Sequence, residues 1–265
     1  MNAGFFYSKG QGHRSARAHQ LGLSLLEVAI ALVVAGLLSW ASFSAYETVT
    51  SQQEIERGRA EGQQLQSILR AFALRHGRLP CPDVGVAASG YESLAGLECA
   101  AGNQLGWFPY VSLGLQIPQE ALRARYAVFR ARRDDNRLRD ADLAVSLERT
   151  GDVESEANYN DVTDLIAGLN NASGLSVATS RPHLTGDAGA AGAINCTTNV
   201  VMSVAYWVVV PLKDADNNGN RLDAPHATTS LCAAGPSAPL RFGADDVVVA
   251  ESPAQLAGWL RQSLP

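Results

Sequence analysis

The first 22 residues contain no aspartate or glutamate, although the 265-residue chain has 26 such side chains in all. They do contain Lys9, Arg14 and Arg17, so the segment reads as a basic leader and not as the start of a folded domain. Other absences narrow the function. The chain has no basic surplus, with a formal net charge of −5, which argues against a dedicated nucleic-acid binder. None of the four cysteines lies in a CxxC pair and no histidine stands at zinc-finger spacing, so a thiolate metal site is not expected. There is no GxSxG, HExxH, P-loop or GxGxxG, and the five histidines are scattered, so no enzymatic activity is expected. A chain this long can still bury roughly 70% of the surface exposed when unfolded, enough for one or two cored domains.

What is present begins at residue 23. Leu23 to Phe43 reads LSLLEVAIALVVAGLLSWASF, and Glu27 is its only ionisable side chain. Three readings compete: a secretory signal, a membrane anchor, or a buried core helix. The uninterrupted run Val28 to Leu38 suits a signal peptide, and Ser39-Trp40-Ala41 offers a small-x-small cleavage site. Glu27 tells against it. A carboxylate near one end of an apolar helix costs about 2–3.5 kcal/mol at bilayer depth, so it usually has a partner and a role.

The junction Gly22-Leu23-Ser24-Leu25-Leu26-Glu27 resembles the class III leader junction of type IV pilins and their relatives. The resemblance implies cleavage between Gly22 and Leu23 by a prepilin peptidase and N-methylation of Leu23. It implies that Glu27 meets the N-terminal ammonium of a neighbouring subunit in a filament core, where opposite charges attract strongly and each alone is costly. Gly36 matches a small residue of the family's anchor helix. Two positions depart from the pattern: Leu23 replaces the usual phenylalanine, and Ser44 stands where many members have a kinking proline. Phe72 to Pro80, FALRHGRLP, resembles the family's passage from helix to loop, and residues 106–115, GWFPYVSLGL, resemble a segment of large pilin-like proteins that follow the anchor helix with a Cys-Pro motif.

Downstream of the apolar segment, Tyr46, Val49, Ile55, Leu65, Ile68, Leu69 and Phe72 recur at helical spacing, with Gln and Glu on other faces. One helix from Leu23 to about His76 would be roughly 80 Å long, and Gly77 with Pro80 stops it. The expected organisation is a cleaved leader (1–22), an apolar anchor (23–43), an amphipathic continuation (44–76) and a head (77–265). The expected fold class is α+β, the long helix packing on an antiparallel sheet with long loops. Strands are expected at Arg125 to Arg130, Leu143 to Leu147, Val200 to Leu212 and Asp246 to Ala250, and short helices at Asp161 to Asn170 and Pro253 to Ser263. Residues 186–193 read as a flexible loop, and His76, His183 and His226 as surface or turn residues.

An even cysteine count in an exported chain favours disulfides. Three pairings are open; Cys81 with Cys99 and Cys196 with Cys232 are preferred because each closes an otherwise unsupported loop, worth about 3–4 kcal/mol in the chain-entropy model. Asp214, Asp216, Asn218 and Asn220, with Gly219 between the last two and Asp223 beyond, give the front half of a calcium loop. The closing glutamate is missing and Pro225 stands in its place, so the segment is not an EF-hand and a polar turn competes. No cofactor is required, and calcium is the one candidate. Arginines 130–139 interleave with Asp134, Asp135 and Asp140 and lack aromatic neighbours, which reads as a self-paired loop; no nucleic-acid partner is expected. Asp245 and Asp246, adjacent on an expected strand, point to opposite faces and read as its beginning.

The leading expectation is a minor type IV pilin or pilin-like subunit. It would sit in the inner membrane with its head in the periplasm, then at the cell surface once assembled. Its partners would be prepilin peptidase, the inner-membrane assembly platform and other pilin subunits. A type II secretion pseudopilin is the nearest alternative. A membrane-tethered ligand-binding module and a periplasmic enzyme represent other classes.

Overall fold

Helix α1 runs from Leu25 to His76, 52 residues without a break, in a computed structural model that describes residues 24–264 apart from 86–87, 97, 187–193, 216, 218, 220, 227–228 and 237–244. Its end is set by Gly77, whose φ of +60° suits glycine and whose N–H closes the last turn on Ala73 O at 3.0 Å. A side chain there would also strike the Asp161 carbonyl. The expected stop is therefore the observed one. The chain divides into two units, residues 1–50 and Ser51–Pro265.

The second unit contains the head. Its strands are β1 (Leu94–Ala95), β2 (Glu98–Cys99), β3 (Leu105–Trp107), β4 (Arg125–Val128), β5 (His183–Thr185), β6 (Val200–Ser203), β7 (Tyr206–Val210), β8 (Cys232–Ala234) and β9 (Val247–Glu251). Its further helices are α2 (Val162–Ser173) and α3 (Pro253–Ser263). The main sheet, ordered β3-β4-β7-β9, is antiparallel throughout, so the class is α+β as expected. A second sheet, ordered β6-β5-β8, is mixed, because β5 and β8 run parallel. Strands β1 and β2 form a small hairpin.

Both faces of the main sheet are covered. Along β7, Tyr206, Val208 and Val210 join Leu65 and Leu69 of α1, Leu165 and Leu169 of α2, and Leu256 and Leu260 of α3 in one core. The alternate residues Trp207 and Val209 pack with Leu184 and Ala233 of the second sheet in another. This two-sided burial explains the continuous apolar run at 206–210. Helix α1 approaches the sheet closely at Gly58 and Gly62. A Cβ at Gly58 would lie 2.6 Å from Leu212 Cδ2, and one at Gly62 only 2.5 Å from Val249 Cγ2.

The two short helices follow their caps. Asp161 and Asp164 form a reciprocal capping box at α2, and Ser252 with Gln255 forms another at α3, where Pro253 fills the first helical position. Two expected strands differ. Val200 to Leu212 is two strands in two sheets, separated at Val204 and Ala205. Leu143 to Leu147 forms no strand. Leu143, Ala144 and Val145 are buried, but Ala144 N–H donates to Asp142 Oδ1 and Leu143 bonds the irregular neighbours Phe129 and Leu79.

One carboxylate on α1 predicts a pH effect. Glu61 is half-buried, and burial raises its carboxyl above the ordinary value of 4.5 against the opposing pull of Arg57. The folded state thus holds this proton more tightly than the unfolded chain, so the stabilising contribution is complete below about pH 4.5 and is lost as pH rises through the raised value. Glu61→Gln is expected to raise the melting temperature at pH 7 and leave it unchanged at pH 4. Calorimetry of the full chain in detergent at both pH values checks this; equal shifts would mean the carboxylate is not the cause.

Candidate functional site

The start of α1 is organised by Ser24 and Glu27. Ser24 N–H donates to Glu27 Oε2 at 2.7 Å, and Glu27 N–H donates to Ser24 Oγ at 3.2 Å. This reciprocal pair is a capping box, and the carboxylate also sits in the first turn, where the helix dipole favours negative charge. Gly22 and Leu23 lie outside the described residues. Within the first unit the apolar side chains of α1 are exposed: Leu26 and Leu32 are each 69% exposed and Trp40 is 72% exposed. The hydroxyls of Ser39, Ser42 and Thr48 donate to carbonyls four residues back, so these polar groups are satisfied inside the helix. Helix α1 is long and apolar enough to cross a membrane.

In the head, both preferred disulfides are formed, Cys81 with Cys99 and Cys196 with Cys232, and no cysteine is free. The loop inside the first is braced further. Arg78 pairs with Glu92 at 2.6 Å, and Asp83 accepts hydrogen bonds from Gly85 N–H, Gly90 N–H and Ser89 Oγ. The arginine-rich stretch is self-paired in part, Arg132 with Asp134 and Arg133 with Asp135, but Arg130 is buried against Asp142 beyond the stretch and Asp140 pairs with the buried Arg149.

The histidines need a correction. His76 is exposed and stacks on Phe72, but His183 and His226 are buried, at 1% and 3% exposure. His183 Nδ1 bonds the Arg181 carbonyl at 2.9 Å, which makes it a structural brace of β5. His226 belongs to a different group of residues.

Of the five residues read as a calcium loop, Asp216, Asn218 and Asn220 lie outside the described residues. Asp214 closes its own turn, accepting from Gly219 N–H at 3.0 Å. Asp223 turns inward. Its Oδ1 accepts from Ala215 N–H and its Oδ2 from Asp245 N–H, both at 2.9 Å, and the residue is fully buried. Asp245 and Asp246 also depart from expectation. Strand β9 begins only at Val247, so strand alternation does not separate them, and ligand oxygens of Asp223, Asp245 and Asp246 lie within 4.8 Å of one another. Among the described residues this is the one such group of three.

Burial, then the neighbouring Asp223 and Asp246 charges, pushes the Asp245 carboxyl up to about 6. Burial also raises that of Asp246, against the hydrogen bond from His226. Asp246 and His226 border a cleft of about 340 Å³ that Arg59, Gln63 and Gln66 of α1 line from the opposite side. The sequence signal for this group was weak, because Asp223 and Asp245 are 22 residues apart. Comparison with protein-family models, curated proteins and solved structures finds no match for the chain.

Proposed function

We propose that the chain is a pilin-like structural subunit, most like a large minor pilin, processed between Gly22 and Leu23 and assembled through its N-terminal helix. The observation carrying this reading is the first half of α1: uncovered apolar side chains along its length, with one carboxylate fixed in its first turn. Such a surface is not stable in water and needs lipid or other helices around it. A bilayer receives it before assembly; equivalent helices receive it in a filament. The subunit would then be a single-pass inner-membrane protein whose head reaches the cell surface when assembled. Prepilin peptidase, the assembly platform and other pilin subunits would be its partners.

The disulfide-braced, loop-rich head supports a minor role, at the tip or at initiation, because long loops are hard to repeat along a packed shaft. A pseudopilin of type II secretion shares every feature used here and is the nearest alternative. The cleft beside Asp246 favours a second reading, a membrane-tethered module whose head holds a ligand.

N-terminal sequencing and intact-mass measurement of the protein from membranes test the proposal. A methylated Leu23 is expected. A mature chain beginning near Ser42 would mean ordinary signal cleavage and would overturn the filament role.

A further inference from the structure

We infer that the head binds one calcium ion between the carboxylates of Asp223, Asp245 and Asp246, at the junction of the 213–223 loop and β9. This does not depend on the subunit reading above, since it rests on the head alone.

Asp223 is fully buried and Asp246 is 6% exposed, so two of three acidic side chains within 4.8 Å of each other are removed from water. Carboxylates gathered this way require compensation. His226 supplies a hydrogen bond but no charge. Ala234 N–H donates to its Nε2 at 3.1 Å, which fixes the ring proton on Nδ1, and Nδ1–H donates to Asp246 Oδ2 at 2.9 Å. With both nitrogens committed, the imidazole is neutral. Among the described residues, no arginine or lysine pairs with Asp245 or Asp246. The Lys213 ammonium pairs with Glu54 and the Arg221 guanidinium donates to the Leu212 carbonyl, while Arg59 lines the cleft beside Asp246 without forming an ion pair to it.

A separate observation points to a ligand. Asp246 Oδ2 accepts from His226 and from Asp223 N–H, whereas Oδ1 is buried with no hydrogen-bond partner, on a side chain only 1% exposed. An orphaned carboxylate oxygen at such depth is costly in the folded protein, and a cation would satisfy it directly.

The donors select the ion. Three hard oxygen ligands and no free imidazole or thiolate argue against zinc and copper. Calcium–oxygen distances of about 2.3–2.6 Å allow ligand oxygens up to roughly 5 Å apart, so the three carboxylates can share one ion. Calcium tolerates irregular oxygen cages, whereas magnesium demands a near-ideal octahedron and keeps several waters. Backbone carbonyls and water would complete the six to eight ligands calcium takes. Asp223 already accepts from Ala215 N–H and Asp245 N–H, so an ion on its carboxylate would hold Ala215 and Asp245 together just ahead of β9.

The test uses the full chain in detergent, stripped with chelator and titrated with calcium chloride by calorimetry, with melting temperature followed in parallel. One ion per chain is expected, with a dissociation constant of about 10⁻⁴–10⁻³ M or tighter, and a rise in melting temperature. Asp246→Asn is expected to weaken binding at least tenfold. Asp245→Asn, at a partly exposed position, gives the same result without risk to the core, and circular dichroism verifies that both variants are folded. No heat and no thermal shift in the wild-type chain at about 5 mM calcium would overturn the inference. Binding lost in Asp214→Asn but kept in Asp245→Asn would also overturn it, by placing the ion in the 214–220 turn. Neither outcome bears on processing at Leu23.

Discussion

Glu27→Ala is expected to leave the chain processed and membrane-inserted but to reduce its incorporation into filaments at least tenfold. Removing the carboxylate makes insertion easier, by up to about 2–3.5 kcal/mol. Assembly loses more. A neighbouring subunit's ammonium would be left unpaired among apolar helices, and breaking one side of a buried ion pair costs about 3–5 kcal/mol. The capping box supplies a sharper version of the experiment. Glutamine at 27 can still accept from Ser24 N–H, so Glu27→Gln retains the cap and loses only the charge. If charge matters for assembly, the glutamine and alanine variants fail alike. Sheared filament and membrane fractions, compared by immunoblot, give the answer; normal incorporation of Glu27→Ala would remove this residue from the assembly mechanism.

Asp140→Ala is expected to destabilise the head by about 3–5 kcal/mol, a large share of the roughly 5–15 kcal/mol that holds a typical domain together. Asp140 is fully buried and accepts from the Arg149 guanidinium at 2.8 Å, from Arg133 N–H at 2.8 Å and from Asp142 N–H at 2.9 Å. The Arg149 side chain is itself completely enclosed, so alanine at 140 strands a guanidinium in the core. Asp134→Ala provides the contrast. Its pair with Arg132 is largely exposed, and about 0.5 kcal/mol or less is expected. Urea unfolding followed by tryptophan fluorescence measures both. A loss below about 1 kcal/mol for Asp140→Ala would mean that the Asp142 and Leu147 carbonyls suffice for Arg149.

Features decided by neighbours in sequence were legible before the structure. The stop at Gly77, the helices entered at Asp161 and Pro253, and strand β4 depend on contacts a few residues apart or on simple patterns. Features decided by the fold were not. Nothing in the run 200–212 indicates that β6 and β7 belong to different sheets, because both sides of the break are rich in apolar residues. Leu143 to Leu147 has the composition of a strand, yet the Asp142 carboxylate takes the Ala144 N–H and the Arg149 guanidinium donates to the Val145 and Leu147 carbonyls, groups that a ladder would have used. The acidic group illustrates the limit most clearly. Asp214 and Asp223 stood in a recognisable motif, but Asp245 and Asp246 come from a segment beyond the second sheet's last strand, and only topology brings them to Asp223.

The pairing of α1 with β9 and α3 constrains when the head can fold. Arg70 on α1 meets Glu251 on β9 at 2.7 Å and lies over the Trp259 ring of α3, nearly two hundred residues later. Leu65 and Leu69 share their core with Leu256 and Leu260. A chain synthesised or translocated from its N-terminus therefore presents an uncovered helix face and an unpaired edge of β7 until residues 247–260 arrive. Contacts spanning such distances form late and slowly, and the waiting surface is prone to aggregation. The head closes on residues 247–260, so completion of its main sheet is expected to wait for that segment.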